Sequence, residues 1–162
     1  MEKIIVIGCP GSGKTTFSKK LCERLDVPLF HLDAIWHRAD KTHISREDFD
    51  RKLSEILAYE RWIIDGNYSR TLERRLLASD TVILFDLPTD ICLSGAEERI
   101  GKARSDLPWV EDRLDPQFKC VIEDFKTAKL PEIYSLLEKQ GEGRAVFVFK
   151  SREDSQRFLE AL

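Results

Sequence analysis

Residues 3–18 read KIIVIGCPGSGKTTFS, and this segment constrains the fold more than any other part of the chain. The range Gly8–Thr15 matches G-x-x-x-x-G-K-[ST], the phosphate-binding loop of nucleoside triphosphate enzymes. Just before it, Ile4–Ile7 is a short apolar run of the kind found in buried parallel strands. An amphipathic helix is predicted after the loop, because apolar side chains recur every fourth position at Phe17, Leu21 and Leu25. The motif therefore has the strand, loop and helix context that it requires.

The residue types in this loop suit a triphosphate with its Mg²⁺ ion. Glycines let the backbone wrap around phosphate oxygens, and the start of the helix adds a partial positive charge. We expect Lys14 to reach the β- and γ-phosphates and the Thr15 hydroxyl to hold Mg²⁺. The alternative, a glycine-rich turn with an incidental lysine, does not account for the flanking strand and helix. The predicted nucleotide-binding residues are Gly8, Pro10, Gly11, Ser12, Gly13, Lys14, Thr15 and Thr16.

Apolar runs and helical periodicity alternate along the rest of the chain, which predicts an α/β fold. Further strands are expected at 27–32, 61–65, 81–86 and 145–149, the last of them buried, and residues 34–44 are expected to be irregular. Helices are expected at 45–57, 70–78, 89–101, 116–125, 131–140 and after Ser151. Five strands alternating with helices predict a parallel sheet covered on both faces, the three-layer fold of P-loop NTPases.

The chain length and charge limit the kinds of protein this can be. We expect 162 residues to form one domain spanning 1–162. No stretch approaches the ~20 apolar residues of a membrane span, and the N-terminal apolar run is too short for a secretory signal. The net charge of −3, without any Lys/Arg run, argues against direct nucleic-acid binding. A cytoplasmic protein without a membrane partner is therefore expected.

Carboxylates end or follow three of the predicted strands, at Asp33, Asp65 and Asp86, and ligands of parallel sheets lie beyond the carboxyl ends of the strands. Asp86 ends the run VILFD and is predicted to hold Mg²⁺ with Thr15, directly or through water. Its alternative role is that of a turn residue before Pro88. Asp33 is predicted to orient or deprotonate the hydroxyl of a phosphoryl acceptor, or to contact the water shell of the metal. A simple helix cap or turn is the alternative for Asp33.

Two further segments supply polar, aromatic and cationic groups. An acceptor pocket is predicted from Trp36, Gly66, Asn67 and Tyr68, although Asp65-Gly66 also fits a plain turn and Trp36 also fits a core anchor.

Transfer of a phosphoryl group needs cations around the moving oxygens, and the sequence leaves open which of Arg70, Arg74 and Arg75 faces the site. Arg99 and Arg104 flank a break at Gly101, so we predict a lid at about 101–112 that excludes water, with a surface role for both as the alternative.

Nearly the whole chain resembles the small P-loop kinases, related to adenylate kinase, that are known as DNA topology modulation proteins. The matching strings are IGCPGSGKTTFSKKL, HLDAIWH, WIIDGNYSRTLERR, ILFDLP and ERIGKARSDLP. The resemblance implies an adenylate kinase-like fold, ATP as donor, and an acceptor-side carboxylate at Asp33. It also implies catalytic arginines at Arg75, Arg99 and Arg104, with Arg99 near the adenine. Adenylate kinases show G-F-P-R where this chain has GNYS, so the acceptor is left open.

The leading hypothesis is an ATP-dependent kinase that moves the γ-phosphoryl group to a nucleoside, a nucleotide or a metabolite. Lys14, Mg²⁺ and the arginines would stabilise charge on the moving group while Asp33 positions the acceptor oxygen. The alternative is an ATP-binding regulator linked to nucleic acid with little catalysis. Acceptor-stimulated formation of ADP favours the kinase, whereas nucleotide-dependent binding to duplex DNA favours the regulator.

Overall fold

The computed structural model describes residues 1–162 and contains one sheet of five parallel strands. The strand order is β2-β3-β1-β4-β5, so the strand that leads into the glycine-rich loop is central. This arrangement confirms the predicted α/β class and the parallel sheet. The strands are β1 (Lys3–Gly8), β2 (Leu29–His31), β3 (Trp62–Asp65), β4 (Thr81–Phe85) and β5 (Ala145–Phe149).

Eight α-helices surround the sheet, and none of them has the length and apolar character needed to cross a bilayer. A π-helical turn at Phe125–Lys129 joins the sixth helix to the seventh. The two helices that were predicted as separate are therefore one continuous helical segment. The fifth helix ends four residues earlier than Gly101, its predicted end. The helices are α1 (Lys14–Leu25), α2 (Leu32–Trp36), α3 (Arg46–Leu57), α4 (Ser69–Ala78), α5 (Thr89–Glu97), α6 (Pro116–Asp124), α7 (Leu130–Gln140) and α8 (Arg152–Glu160).

The core lies on both faces of the central strands. Every residue from Ile4 to Ile7 is at most 1% exposed, as expected for a strand covered on both sides. The prediction of a buried β5 is wrong at its start, because this strand lies at the edge of the sheet and Val146 is 39% exposed. Only Phe149, at its end, is fully enclosed.

Side-chain caps begin three of the helices as the sequence predicted. The Ser45 hydroxyl accepts a hydrogen bond from the backbone N–H of Asp48, and the Asp115 carboxylate accepts one from that of Gln117. Ser151 forms a reciprocal capping box with the third residue of α8. These bonds satisfy N–H groups that a helix start leaves without partners.

Residues 34–44, which were predicted to be irregular, contain regular structure. Asp33 lies in the first turn of the short helix α2, and His37 then pairs with His43 in an isolated antiparallel bridge. A helix of five residues is too short to show a hydrophobic period, so packing against β2 and α3 defines it instead. This packing fixes Asp33 just beyond the sheet.

Candidate active site

The glycine-rich loop passes closely over β4 and α5. Gly8 has a φ of 138°, and a Cβ atom there would lie 2.3 Å from the carbonyl oxygen of Phe85. Gly11 has a φ of 80°, and its Cβ would lie 2.0 Å from the carbonyl oxygen of Cys92. Both positions therefore require glycine for backbone conformation and for space.

Lys14 is only 9% exposed, although it is a charged side chain. Its Nζ donates a hydrogen bond of 2.8 Å to the carbonyl oxygen of Cys9 within the loop, without any carboxylate partner at bonding distance. Burial lowers the pKa of Lys14, and the negative charge of Asp65 opposes that shift. The Ser12 hydroxyl is also buried, and it has no hydrogen-bond partner. A polyphosphate would satisfy both groups, so the loop fits the cofactor that its motif implies.

Oxygen atoms surround the Thr15 hydroxyl. Its Oγ1 lies 3.0 Å from Asp65 Oδ2 and 3.3 Å from Asp106 Oδ2. Asp65 is buried, and the same oxygen lies 3.0 Å from His31 Nδ1. Hydroxyl and carboxylate oxygens are the donors that Mg²⁺ prefers. No group of three or more His, Cys, Asp or Glu side chains could hold a metal unaided, so phosphate and water oxygens would have to complete the shell.

The structure does not place Asp86 at this position, and strand parity explains why. Asp65 and Ile83 both pair with Val6, so their side chains point to the same face of the sheet. Phe85 lies two residues further on the same face, and its ring packs 5.3 Å from that of Phe17 in α1. Asp86 is one residue out of phase and therefore points to the opposite face.

On that opposite face the buried Asp86 carboxylate pairs with the ends of two exposed lysines. Its Oδ2 accepts hydrogen bonds from the Tyr134 hydroxyl at 2.8 Å and from Lys150 Nζ, and Lys126 Nζ lies 3.6 Å from Oδ1. Burial disfavours the Asp86 anion, but the bonds from Lys150 and Tyr134 outweigh burial and lower its pKa. Asp86 thus connects β4 to α7 and to the end of β5, which makes it a structural residue.

We expect Asp86→Asn to lower the free energy of unfolding at pH 7 by ~1–3 kcal/mol, because charge-assisted bonds are lost. Because the pKa of Asp86 is lowered in the folded state, this stability is fully present above the ordinary aspartate pKa of ~3.9 and is lost as the pH falls from there through the lower pKa of the folded protein. Urea denaturation of both proteins should therefore show a larger difference at pH 7 than at pH 3. If the Asp86→Asn protein were as stable as the wild type but bound Mg²⁺ more weakly, the structural role of Asp86 would be wrong and its predicted role as a metal ligand would be supported.

Asp33 and Tyr68 form a polar pair on the acceptor side of the cleft. The Tyr68 hydroxyl donates a bond of 2.8 Å to Asp33 Oδ1. Burial raises the pKa of Tyr68, and the Asp33 charge raises it further, so the phenol stays protonated and remains a donor. Trp36 does not line the cleft, because its ring packs on His43 and Phe49 instead. The predicted substrate contact of Trp36 is therefore not found, and its core-anchor alternative describes it.

The loop after β3 uses its polar groups on the protein itself. Both ends of the Asn67 amide bond to the backbone of Gly8, with distances of 2.8 and 3.0 Å. Gly66 lies so close to Leu32 that a Cβ would come within 2.9 Å of that side chain. Asn67 and Gly66 line the cleft, but the amide of Asn67 is already occupied by the phosphate loop.

Arg75, predicted as a catalytic cation, is 0% exposed and does not line the cleft. Its guanidinium donates to the carbonyl oxygens of Gly66, Asn67 and Tyr68 and to the Thr71 hydroxyl. Burial lowers the pKa of Arg75 to about 10. The structure therefore assigns Arg75 to holding the 66–68 loop, because its helical position points it inward. Arg70 and Arg74 point outward and bond to side chains of α3.

Residues 98–115, which include the predicted lid at about 101–112, contain no helix or strand and join α5 to α6. A bond of 2.7 Å from the N–H of Gly101 to the carbonyl oxygen of Glu111 closes its base. Arg104 donates to the carboxylates of Asp106 and Glu111. Arg99 lies 5.6 Å from the centre of the Phe118 ring, and its buried Nε has no partner.

A cleft of about 1330 Å³ lies between the phosphate loop, the lid and the acceptor-side residues. Pockets for one ligand are typically ~300–1,000 Å³, so a nucleotide and a second substrate have room. Gly8, Trp36, Arg75 and Asp86 do not line it. The predicted site residues that line it are Pro10, Gly11, Ser12, Gly13, Lys14, Thr15, Thr16, Asp33, Gly66, Asn67, Tyr68, Arg99 and Arg104.

The cleft also contains Asp65, which was predicted at the ligand end of a strand without a chemical role, and two residues for which no site role was predicted. Asp65 ends the apolar run WIID just as Asp86 ends VILFD. The sequence therefore marks both aspartates equally, and only the arrangement of the strands shows that Asp65 is the one that faces the cleft. Asp106 and His37 lie in segments without periodicity, where no pattern identifies them. His37 contacts the lid across the cleft, with its ring 5.1 Å from that of Trp109.

Comparison with solved structures shows the fold of known kinases. A crystal structure of shikimate kinase from Bacteroides thetaiotaomicron is similar with a TM-score of 0.63 and 19% identity, over 98% of this chain and 96% of that one. Shikimate kinase from Acinetobacter baumannii in complex with shikimate gives 0.64 and 15%, over 99% and 92%. A gluconokinase from Sinorhizobium meliloti 1021 gives 0.52 and 12%, over 99% and 92%. At these identities the likeness concerns the fold.

No curated protein matches the chain. A match to a family model does cover more than half of it, from the first strand through the phosphate loop to the end of β4 and the turn that follows. Residues 4–88 match the model described as AAA domain, and the chain therefore belongs to the AAA domain family.

Proposed function

We propose that this protein is an ATP-dependent kinase that transfers the γ-phosphoryl group of ATP to a hydroxyl group of a small molecule, which is a nucleoside, a nucleotide or another metabolite. One observation carries the proposal. A single cleft is lined by a phosphate loop with Lys14 and Thr15 and by the hydrogen-bonded pair of Asp33 and Tyr68. The similarity to structures of shikimate kinase and gluconokinase supports this function.

The donor side of the cleft is suited to holding the triphosphate. Lys14 and the loop amides would bind the phosphates, and Thr15 with Asp65 would hold Mg²⁺. Mg²⁺ bound there would neutralise negative charge on the phosphate oxygens. The buried Nε of Arg99, which has no partner, offers a further donor to the nucleotide. Arg104 already bonds two carboxylates, so it would have to exchange a partner to reach a phosphate.

The acceptor side of the cleft is suited to positioning a hydroxyl group. Tyr68 occupies Oδ1 of Asp33, and Oδ2 makes no hydrogen bond to the protein. That oxygen can accept the hydrogen bond, and then the proton, of an acceptor hydroxyl. Phosphoryl transfer depends mainly on placing the attacking oxygen in line with the donor, so this orientation is the main contribution of Asp33.

We expect Asp33→Asn to lower acceptor-dependent kcat by ~10²–10⁴-fold with little change in the KM for ATP, because the base is lost and the phosphate loop is untouched. The acceptor is found first by incubating the protein with ATP, Mg²⁺ and a pooled library of nucleosides, nucleotides and hydroxylated metabolites. Formation of ADP that depends on one pool identifies the acceptor, and the variant is then measured with it.

Tyr68→Phe is the matched control for this experiment. It removes one hydrogen bond to Asp33 and keeps the carboxylate, so we expect a loss of roughly tenfold, the equivalent of ~1.4 kcal/mol. Equal turnover by wild-type and Asp33→Asn proteins would refute the role of Asp33. Tight binding of ATP without acceptor-stimulated ADP from any pool would refute the kinase.

A further inference from the structure

Asp106 is the one fully buried residue in the exposed stretch of the lid from Gly101 to Val110. It is 2% exposed, and its carboxylate is directed inward across the cleft to the phosphate loop. There its Oδ2 lies 3.3 Å from Thr15 Oγ1, the hydroxyl that also bonds to Asp65. Three oxygen-donor side chains from α1, β3 and the lid therefore converge.

Arg104 holds the Asp106 carboxylate, but this pairing does not explain why the carboxylate approaches the phosphate loop. Both oxygens of Asp106 accept hydrogen bonds from Arg104, Oδ1 from Nε at 3.1 Å and Oδ2 from Nη2 at 2.5 Å, and Nη1 donates to Glu111 at 2.9 Å. This ion pair does not require the further approach of the same Oδ2 to the Thr15 hydroxyl in α1.

The phosphate loop beside this carboxylate carries independent signs of a missing ligand. The Ser12 hydroxyl is 99% buried without a partner, and the only hydrogen bond of the Lys14 ammonium is to a carbonyl of its own loop. Two carboxylates that meet at one hydroxyl bring together oxygen ligands of the kind that a divalent cation prefers.

We infer that Asp106 is the contribution of the lid to the divalent-cation site, completing with Thr15 and Asp65 the oxygen donors that this chain supplies to the Mg²⁺ of the bound nucleotide. The inference rests on the nucleotide binding of the proposed function, but it does not require any acceptor. It makes lid closure and metal binding reciprocal, because a ligand shared by the lid and the loop lets each process favour the other. The lid is thus specific for the metal-bound form of the nucleotide.

The test measures Mn²⁺ binding by electron paramagnetic resonance, using the protein complexed with a non-hydrolysable ATP analogue. Asp106→Asn should weaken Mn²⁺ binding to this complex by roughly 10- to 100-fold, because a carboxylate is lost from the metal environment. Calorimetry in EDTA should show that the same variant binds the metal-free analogue within about threefold of the wild-type affinity, because the phosphate loop itself is intact.

Glu111→Gln is the matched control, because Glu111 is the other carboxylate partner of Arg104 and makes no contact with Thr15. If Asp106 only holds Arg104, both variants should change Mn²⁺ binding alike, and the inference would be overturned. Asp106→Glu keeps the charge one methylene further out and should restore most of the affinity. It also provides a folded comparison if the asparagine variant has a reduced melting temperature.

Two other results would overturn the inference. Unchanged Mn²⁺ affinity of Asp106→Asn would show that the carboxylate lies outside the metal environment. A rise in analogue affinity of that variant, equal with and without Mn²⁺, would show that Asp106 blocks the phosphate site. Failure of the wild-type protein to bind the analogue would overturn the proposed function as well. A positive result without turnover of any acceptor would leave the inference intact and refute only the kinase.

Discussion

Lys14→Met is expected to reduce acceptor-dependent ATP turnover by at least ~10³-fold. The reason is the loss of a buried positive charge at short range from the transferring group. The ammonium group of Lys14 is buried in the loop and has only a carbonyl oxygen as its partner, so it is free to compensate negative charge on a transferring phosphoryl group. Methionine keeps the length of the side chain and removes the charge. Turnover is measured with the acceptor found by the library screen.

The folded state should tolerate this substitution. Burial lowers the pKa of Lys14, which means that the buried charge opposes folding, so the free energy of unfolding should change by no more than ~1 kcal/mol. Arg24→Ala, in the last turn of the same helix and exposed, is the control and should leave turnover unchanged. Full turnover by a folded Lys14→Met protein would refute the assignment of the loop to catalysis.

Arg75→Met is expected to have the largest effect on stability, lowering the free energy of unfolding by ~3–5 kcal/mol. The guanidinium supplies hydrogen bonds to three carbonyl oxygens, those of Gly66, Asn67 and Tyr68. Methionine fills the space but leaves these oxygens buried without donors, and each unsatisfied group costs ~1–3 kcal/mol. Urea denaturation followed by far-ultraviolet circular dichroism measures the difference.

Arg74→Met provides the matched control one position earlier on the same helix. Arg74 is exposed and bonds at 2.7 Å to the Ser54 hydroxyl, so its loss should change stability by less than ~0.5 kcal/mol. Arg75→Lys should give an intermediate loss, because an ammonium cannot reach three carbonyl oxygens in the fork geometry of a guanidinium. A stable Arg75→Met protein that had lost only catalysis would restore the role implied by the family resemblance.

The order of elements and their type followed from local patterns. Ile4–Ile7 predicted β1 because a strand buried on both faces must be apolar throughout. Ser45, Asp115 and Ser151 predicted helix starts because their caps act within three residues. Sequence reasoning missed α2, because five residues show no period, and it misjudged β5, because edge position depends on strand order. The narrower resemblance to DNA topology modulation proteins, the ATP and Mg²⁺ cofactors and the cytoplasmic location stay predictions.

The candidate site was predictable where one short segment carries the chemistry. The phosphate loop could be predicted from Gly8–Thr15 and its flanks alone. The choice between Asp65 and Asp86 required the register of β3 and of β4, which both pair with β1. Both residues end apolar runs, and a shift of one residue directs them to opposite faces of the sheet. Arg75 posed a similar problem, because which face of α4 is buried depends on where the helix lies against the core.

The sequence by itself determined that a strand, a phosphate-binding loop and a helix follow one another, and that further strands and helices build a parallel sheet around them. These features depend on hydrophobic period, glycine conformation and capping, which act over a few residues. Only the tertiary structure decided that Asp65 and Asp106 meet at Thr15, that Asp86 faces away, and that Arg75 is enclosed. The contacts of the three aspartates join residues that are 48 to 91 positions apart, and strand register and the placement of residues 98–115 fix them through packing that no local pattern encodes. Arg75 is enclosed because of how α4 lies against the core, which no local pattern encodes either.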